Sequence, residues 1–303
     1  MNGQVKRSAL AALGGGALGG LQWRVMLLWV LVTLLPTLMV SLPLWATLDG
    51  MLGHSVHAER YAAHFDGLMF GDMAHGLMVD NAWTGMAFAA GLLLTLAISP
   101  FLTGMVVAGG RAGRALSFGA LLQGGATEYG RMLRLLVLSL IPYVLFGMAM
   151  HGLQSLASDK GDAAVLESTS DTWAHIALGL TLLVFAVVQC IVESARAAYI
   201  ADITLRSAFR ALGRGFMQFL RRPFATLGVY LVITLVGVVL AVLVTSWRGH
   251  TTAAGTGTLV AFLIVQVGVV VVAWMRTARL LALSRLANVN PHRRRRTDFA
   301  PAL

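Results

Sequence analysis

The sequence predicts an all-α, polytopic membrane protein of six transmembrane helices, with both termini and its amphipathic elbow helices in the cytoplasm. Three observations predict it. At 57% hydrophobic and 12% charged residues, with mean hydropathy +0.77, the composition is far from that of a soluble domain. Six stretches of hydrocarbon length contain no Lys, Arg, Asp or Glu. The Lys and Arg residues crowd into alternate connections between those stretches.

A helix needs about 20 apolar residues to cross about 30 Å of hydrocarbon. The six stretches that meet this lie at about 25–48, 82–108, 135–153, 172–192, 223–247 and 257–275. Buried helices of soluble proteins alternate with polar faces and seldom run several turns without a charge. The 303 residues therefore read as a single membrane domain, closed by a basic tail at 288–303.

Orientation follows from the connections. Lys6, Arg7 and Arg24 precede the first span; Arg111, Arg114, Arg131 and Arg134 surround the second connection; six arginines lie from Arg196 to Arg222; and seven follow the sixth span. That side holds 20 of the 23 basic residues, whereas the other holds Arg60, Lys160, Arg248 and nine of the 13 acids. By the positive-inside rule the termini and the basic connections are cytoplasmic, and loops 49–81, 154–171 and 248–256 are outside. The localisation expected is a bacterial inner membrane, multi-pass. The net charge of +10 is then mainly a topology signal, and nucleic acid is not an expected partner.

The stretch "SALAALGGGALGG" after Lys6 and Arg7 is Gly-rich and is followed by Arg24 and a full span, so no signal-peptide cleavage is expected. Cys190, the only cysteine, lies in an apolar stretch and excludes an intramolecular disulfide or a thiolate cluster.

The basic connections are patterned. In "SAFRALGRGFMQFLRRP", Phe209, Leu212, Phe216, Phe219 and Leu220 recur at helical spacing, with Ser207, Arg210, Arg214, Gln218 and Arg221 opposite. This is the pattern of an interfacial helix whose apolar side enters the acyl boundary, and Pro223 marks the turn into the fifth span. A similar stretch occurs 91 residues earlier, matching Phe118, Ala120, Leu121, Gly124, Arg131 and Leu136 to Phe209, Ala211, Leu212, Gly215, Arg222 and Leu227. With the stretch before Arg24 as a degenerate third copy, the repeat units would be 8–108, 116–192 and 207–287, each an elbow helix plus a hairpin.

The segment "SPFLTGMVVAGGRAGRALSFGALLQGGATEYGRMLRLL" closes a span with Pro and Gly and then runs into a basic amphipathic connection. It resembles the membrane domain found beside some bacterial glycerophosphodiesterases, and stand-alone, uncharacterised six-helix bacterial proteins of similar layout. The likeness covers roughly residues 90–235. The chain lacks a phosphodiesterase domain, so the resemblance implies a membrane fold and not that enzyme's activity.

Charge inside hydrocarbon is costly and usually retained for a use. Glu193 lies three residues before Arg196, on one helix face, and Asp202 with Arg206 repeats the arrangement at i, i+4. These four are candidates for an inner gate or for an ion-paired helix end. In the outer loop, His54, His57, His64 and His75 stand among acids and methionines and are candidate metal ligands, although their spacing matches no recognised pattern. Pro36, Pro43, Pro100 and Pro142 predict bends in the first three spans. Gln189 and Gln266 are candidate polar lining, serving equally as interhelical hydrogen-bond partners. Arg210, Arg214, Arg221 and Arg222, with Arg293, Arg294, Arg295 and Arg296 of the tail, are candidate contacts for anionic headgroups.

No phosphate-binding loop, Gly-x-Ser-x-Gly elbow or His-Glu-x-x-His pair occurs. The expectation is a non-catalytic protein without cofactor, a scaffold or accessory subunit contacting lipid and a membrane partner or a second copy. The rivals are a transporter or lipid-handling permease, and an interfacial enzyme using His75, Asp80 or His175.

Overall fold

A computed structural model of the chain describes residues 2–53, 55–56, 67–79, 82–164, 166–251 and 255–288. Among them there are ten α-helices and no strand. They are α1 (Asn2–Gly19), α2 (Trp23–Leu52), α3 (Gly67–Val79), α4 (Ala82–Ala112), α5 (Phe118–Leu138), α6 (Leu140–Asp162), α7 (Glu167–Ala201), α8 (Ala208–Arg221), α9 (Pro223–Gly249) and α10 (Gly257–Asn288). Six helical runs are long and apolar enough to cross a membrane: α2, α4, the run of α5 into α6, α7, α9 and α10.

Three limits move from their expected places. The third membrane helix begins at Leu140 rather than 135, because Leu135 and Leu138 are buried in the last turn of α5. Pro142 consequently sits in the first turn of α6, where its missing N–H would have had no helical partner. A single turn residue, Ser139, separates α5 from α6, and its hydroxyl donates to the Leu136 carbonyl at 2.6 Å. Pro36, Pro43 and Pro100 lie inside α2 and α4. The fourth and sixth helices run beyond 192 and 275, to Ala201 and Asn288, which carries Glu193, Arg196 and Arg279 into the helical bundle.

Three hairpins organise the chain. α2 packs against α4, α6 against α7 and α9 against α10, and α4, α7 and α10 also touch one another in the middle. Burial concentrates at one end of these three central helices: Met105, Val106 and Val107 on α4, Cys190, Val192 and Ala195 on α7, and Ala278, Ala282 and Leu283 on α10 are nearly inaccessible. The opposite halves show the reverse. α6 has no buried residue, and Leu38, Leu182, Val239 and Leu243 are all exposed. Apolar side chains left bare over many turns are at home in hydrocarbon and not in water.

The three remaining connections on the buried end are also helical. α1 lies on α10, α5 on α4 and α8 on α7. Each approaches through glycine. A Cβ at Gly215 of α8 would come within 2.5 Å of the Ile191 carbonyl oxygen and 2.6 Å of the Ala195 nitrogen; at Gly125 of α5 it would meet Met105 and Phe101 at 2.8 Å. At Gly16 of α1 it would meet Ala282 at 2.5 Å, and α1 is further fixed by Trp274, whose Nε1 donates to the Ala17 carbonyl at 3.0 Å. Close backbone approach of this kind is the usual basis of helix association where lipid removes the hydrophobic drive. Ser117 and Ser207 start α5 and α8 alike, each side-chain oxygen accepting from a backbone N–H three residues on.

These equivalences, Ser117 with Ser207 and Gly125 with Gly215, stand 90 residues apart, one out of step with the 91-residue sequence match. The reason is that the Phe118 and Phe209 match aligns unlike positions. Phe118 packs edge-on against Trp23, whereas Phe209 is exposed. On α8 the side facing α7 is Ala211 and Gly215, while Phe209, Phe216 and Leu220 face away from the protein. Within the 49–81 connection, α3 is helical and packs against α4.

Candidate functional site

The polar groups that matter lie where the central helices are most tightly packed. Glu193 of α7 is buried, at 4% exposure, and its Oε1 accepts from Arg196 Nη1 at 3.3 Å and from Arg279 Nη2 of α10 at 3.5 Å. Arg279 is itself buried. Its guanidinium lies 5.1 Å from the centre of the Tyr230 ring on α9 and donates to Thr234 Oγ1 at 3.2 Å. One carboxylate and two arginines therefore tie α7, α9 and α10 together. Glu193 Oε2 and Arg279 Nε have no hydrogen-bond partner among the described residues.

A second buried carboxylate does the same for the neighbouring helices. Glu128 of α5 accepts from Arg111 Nη1 of α4 at 2.5 Å and from Arg131 Nη1 at 3.1 Å through both oxygens. Arg111 Nε in turn donates to the backbone carbonyl of Tyr199 on α7 at 2.8 Å. Arg111 and Arg279 thus bridge helices far apart in sequence, and the geometry suits charge-assisted bonds with several donors on one carboxylate.

At the rim, Asp202 caps the end of α7 and accepts from Arg214 Nη1 of α8 at 2.6 Å and from Thr204 through both its hydroxyl and its backbone N–H. The hydrogen bonds from Thr204, and then the Arg214 guanidinium, hold its carboxyl well below the usual carboxylate range. The helical Asp202 with Arg206 arrangement expected from spacing gives way to this one, because α7 ends at Ala201 and Asp202 has an extended backbone.

The other sequence candidates are dispersed. Gln189 accepts from Tyr143 Oη at 3.2 Å, joining α6 to α7, whereas Gln266 is half-buried on α10 with no side-chain hydrogen bond among the described residues. Arg210 and Arg221 are exposed on α8. His75 is exposed on α3, and His54, His57 and His64 lie outside the described residues, as do Arg293, Arg294, Arg295 and Arg296. Among the described residues no three of His, Cys, Asp and Glu come together as a metal site would require.

No family model matches the chain, and neither a curated protein nor a solved structure does.

Glu128 and Arg279 escaped the sequence reading. Glu128 had a local signal, standing three residues before Arg131 in a stretch with no other acid. Arg279 had none: it was counted with the cytoplasmic cluster after the sixth span, and only the fold brings it to Glu193.

Proposed function

We propose that this chain is a non-catalytic, multi-pass protein of a bacterial inner membrane, acting as a scaffold or accessory subunit that contacts lipid and a membrane partner or a second copy. The observation that carries the reading is the employment of its buried charges. Glu128 and Glu193 are each clamped by two arginines from two helices, so these buried carboxylates fasten helix ends together. The charge division between alternate connections supports a cytoplasmic placing of both termini and of this clamped end. On α8, Phe209, Phe216 and Leu220 point away from the protein beside Arg210 and Arg221, the arrangement expected of a helix lying at an anionic lipid surface.

The units 8–108, 116–192 and 207–287 support a cyclic layout. Each elbow helix packs on the last helix of the unit before it, and α1 closes the cycle on α10.

Purification in native nanodiscs followed by mass spectrometry of what accompanies the chain tests the proposal. A stoichiometric membrane protein, or a defined homo-oligomer, is the expected result. A chain recovered as a monomer with one enriched solute would overturn it in favour of transport. That second reading has one observation in its favour, the unpartnered Glu193 Oε2 inside the bundle. Transport through it would appear as proteoliposome flux abolished by Glu193→Gln.

A further inference from the structure

The ends of α1, α4, α7 and α10 line an open cavity of about 480 Å³, within the size range of ligand pockets. Its wall includes Arg111, Arg114 and Arg285, supplied by α4, the turn that follows it and α10, together with Gln22 and Ser284; no described lining residue is acidic. Gly113, at φ +64°, ends α4 in the left-handed conformation that glycine adopts without strain, and so turns the chain to bring Arg114 to the cavity.

Three guanidinium groups on one cavity repel one another unless an anion joins them. Arg111 is partly neutralised by Glu128, yet its Nη2 is enclosed and has no hydrogen-bond partner among the described residues. Arg114 and Arg285 are exposed and have no acidic partner among the described residues. At the rim stand Leu18 and Ile203, both exposed. Cationic groups beside apolar side chains fit a phosphate group, and the planar guanidinium fork matches phosphate oxygens two at a time.

We propose that this cavity is a binding site for a phosphate-bearing anion, held by Arg114 and Arg285 with Arg111 Nη2 behind them. The phosphate is that of an anionic lipid headgroup or of a soluble ion. This site is separate from the outward face of α8 and does not depend on the scaffold reading.

The test uses the full chain in an uncharged detergent and in phosphatidylcholine nanodiscs. Inorganic phosphate is titrated calorimetrically, and retention of added phosphatidylglycerol over phosphatidylcholine is read by native mass spectrometry. Binding of at least one probe is expected, weakened at least tenfold by Arg114→Gln with Arg285→Gln and changed less than twofold by Arg134→Gln with Arg206→Gln, both exposed and outside the cavity lining. Phosphatidylglycerol alone retained identifies a lipid site; inorganic phosphate bound as well identifies a soluble anion. Because Arg285 overlies Gly15 and Gly19 of α1, Arg114→Gln alone, at an exposed turn, is measured beside the double variant and should weaken binding severalfold with unchanged melting. Failure of both probes to bind, or equal weakening by the two double variants, overturns the proposal.

Discussion

Glu193 and Arg279, 86 residues apart in sequence, meet at 3.5 Å inside the bundle, and neither group is accessible from outside. The pair is the link between the fourth and sixth membrane helices at the end where all three central helices are packed. Removing one ion of such a pair leaves the other buried without its counter-charge, which typically costs roughly 3–5 kcal/mol. Replacing both by apolar residues of similar size is often neutral.

Glu193→Ala and Arg279→Ala are therefore each expected to destabilise the chain by about 3–5 kcal/mol. Glu193→Leu combined with Arg279→Met should recover most of the loss. Reversible unfolding in detergent measures this, and a double variant as damaged as the sum of its parts would contradict the linkage.

Two glycines of α8 should respond to alanine with opposite signs. At Gly215 a Cβ would be 2.5–2.9 Å from backbone atoms of Ile191 and Ala195, which cannot move aside without shifting α7. Gly215→Ala should destabilise by about 1–3 kcal/mol despite its better helix propensity. Nothing lies within 4 Å of a Cβ at Gly213, so Gly213→Ala should stabilise by about 0.5–1 kcal/mol. Melting of the two single variants decides it, and equal shifts would remove the docked geometry of α8.

Asp202 supplies a pH dependence. Its hydrogen bonds from Thr204 and its pairing with Arg214 lower its folded pKa below the unfolded value of about 3.9. The stabilisation is then complete above that value and is lost as pH falls from it through the folded pKa. The stability difference between the wild type and Asp202→Asn should stay constant from neutral pH down to about 5 and shrink below about 4. A difference that changed between pH 7 and pH 5 would contradict the assignment.

How much of this could be read from residues alone follows from the range of the interactions. Span number and class were legible because hydrocarbon length is a local property, carried by runs such as 223–247. The pattern of α8 was legible for its Phe and Arg faces, but its packing face was not, since Ala211 and Gly215 gain meaning only once α7 lies against them. For α1 the same holds: glycines that look like a weak helix are the residues that admit Ala278 and Ala282. Asp202 was matched to Arg206 by spacing, but the end of α7 removed that geometry and a turn brought Arg214 instead. Arg279 lay furthest from reach, because a cation beyond an apolar run reads as cytoplasmic until its buried carboxylate partner is known.

The most direct measurement is cysteine accessibility across the membrane, in a Cys190→Ala background that removes the one native thiol. Arg60→Cys and Arg210→Cys are labelled with a membrane-impermeant maleimide in intact and in opened cells. Labelling of position 60 from outside, and of position 210 only after opening, is expected. If both positions react from the same side, the six-span threading is wrong, and with it the placing of the clamped, arginine-rich end in the cytoplasm.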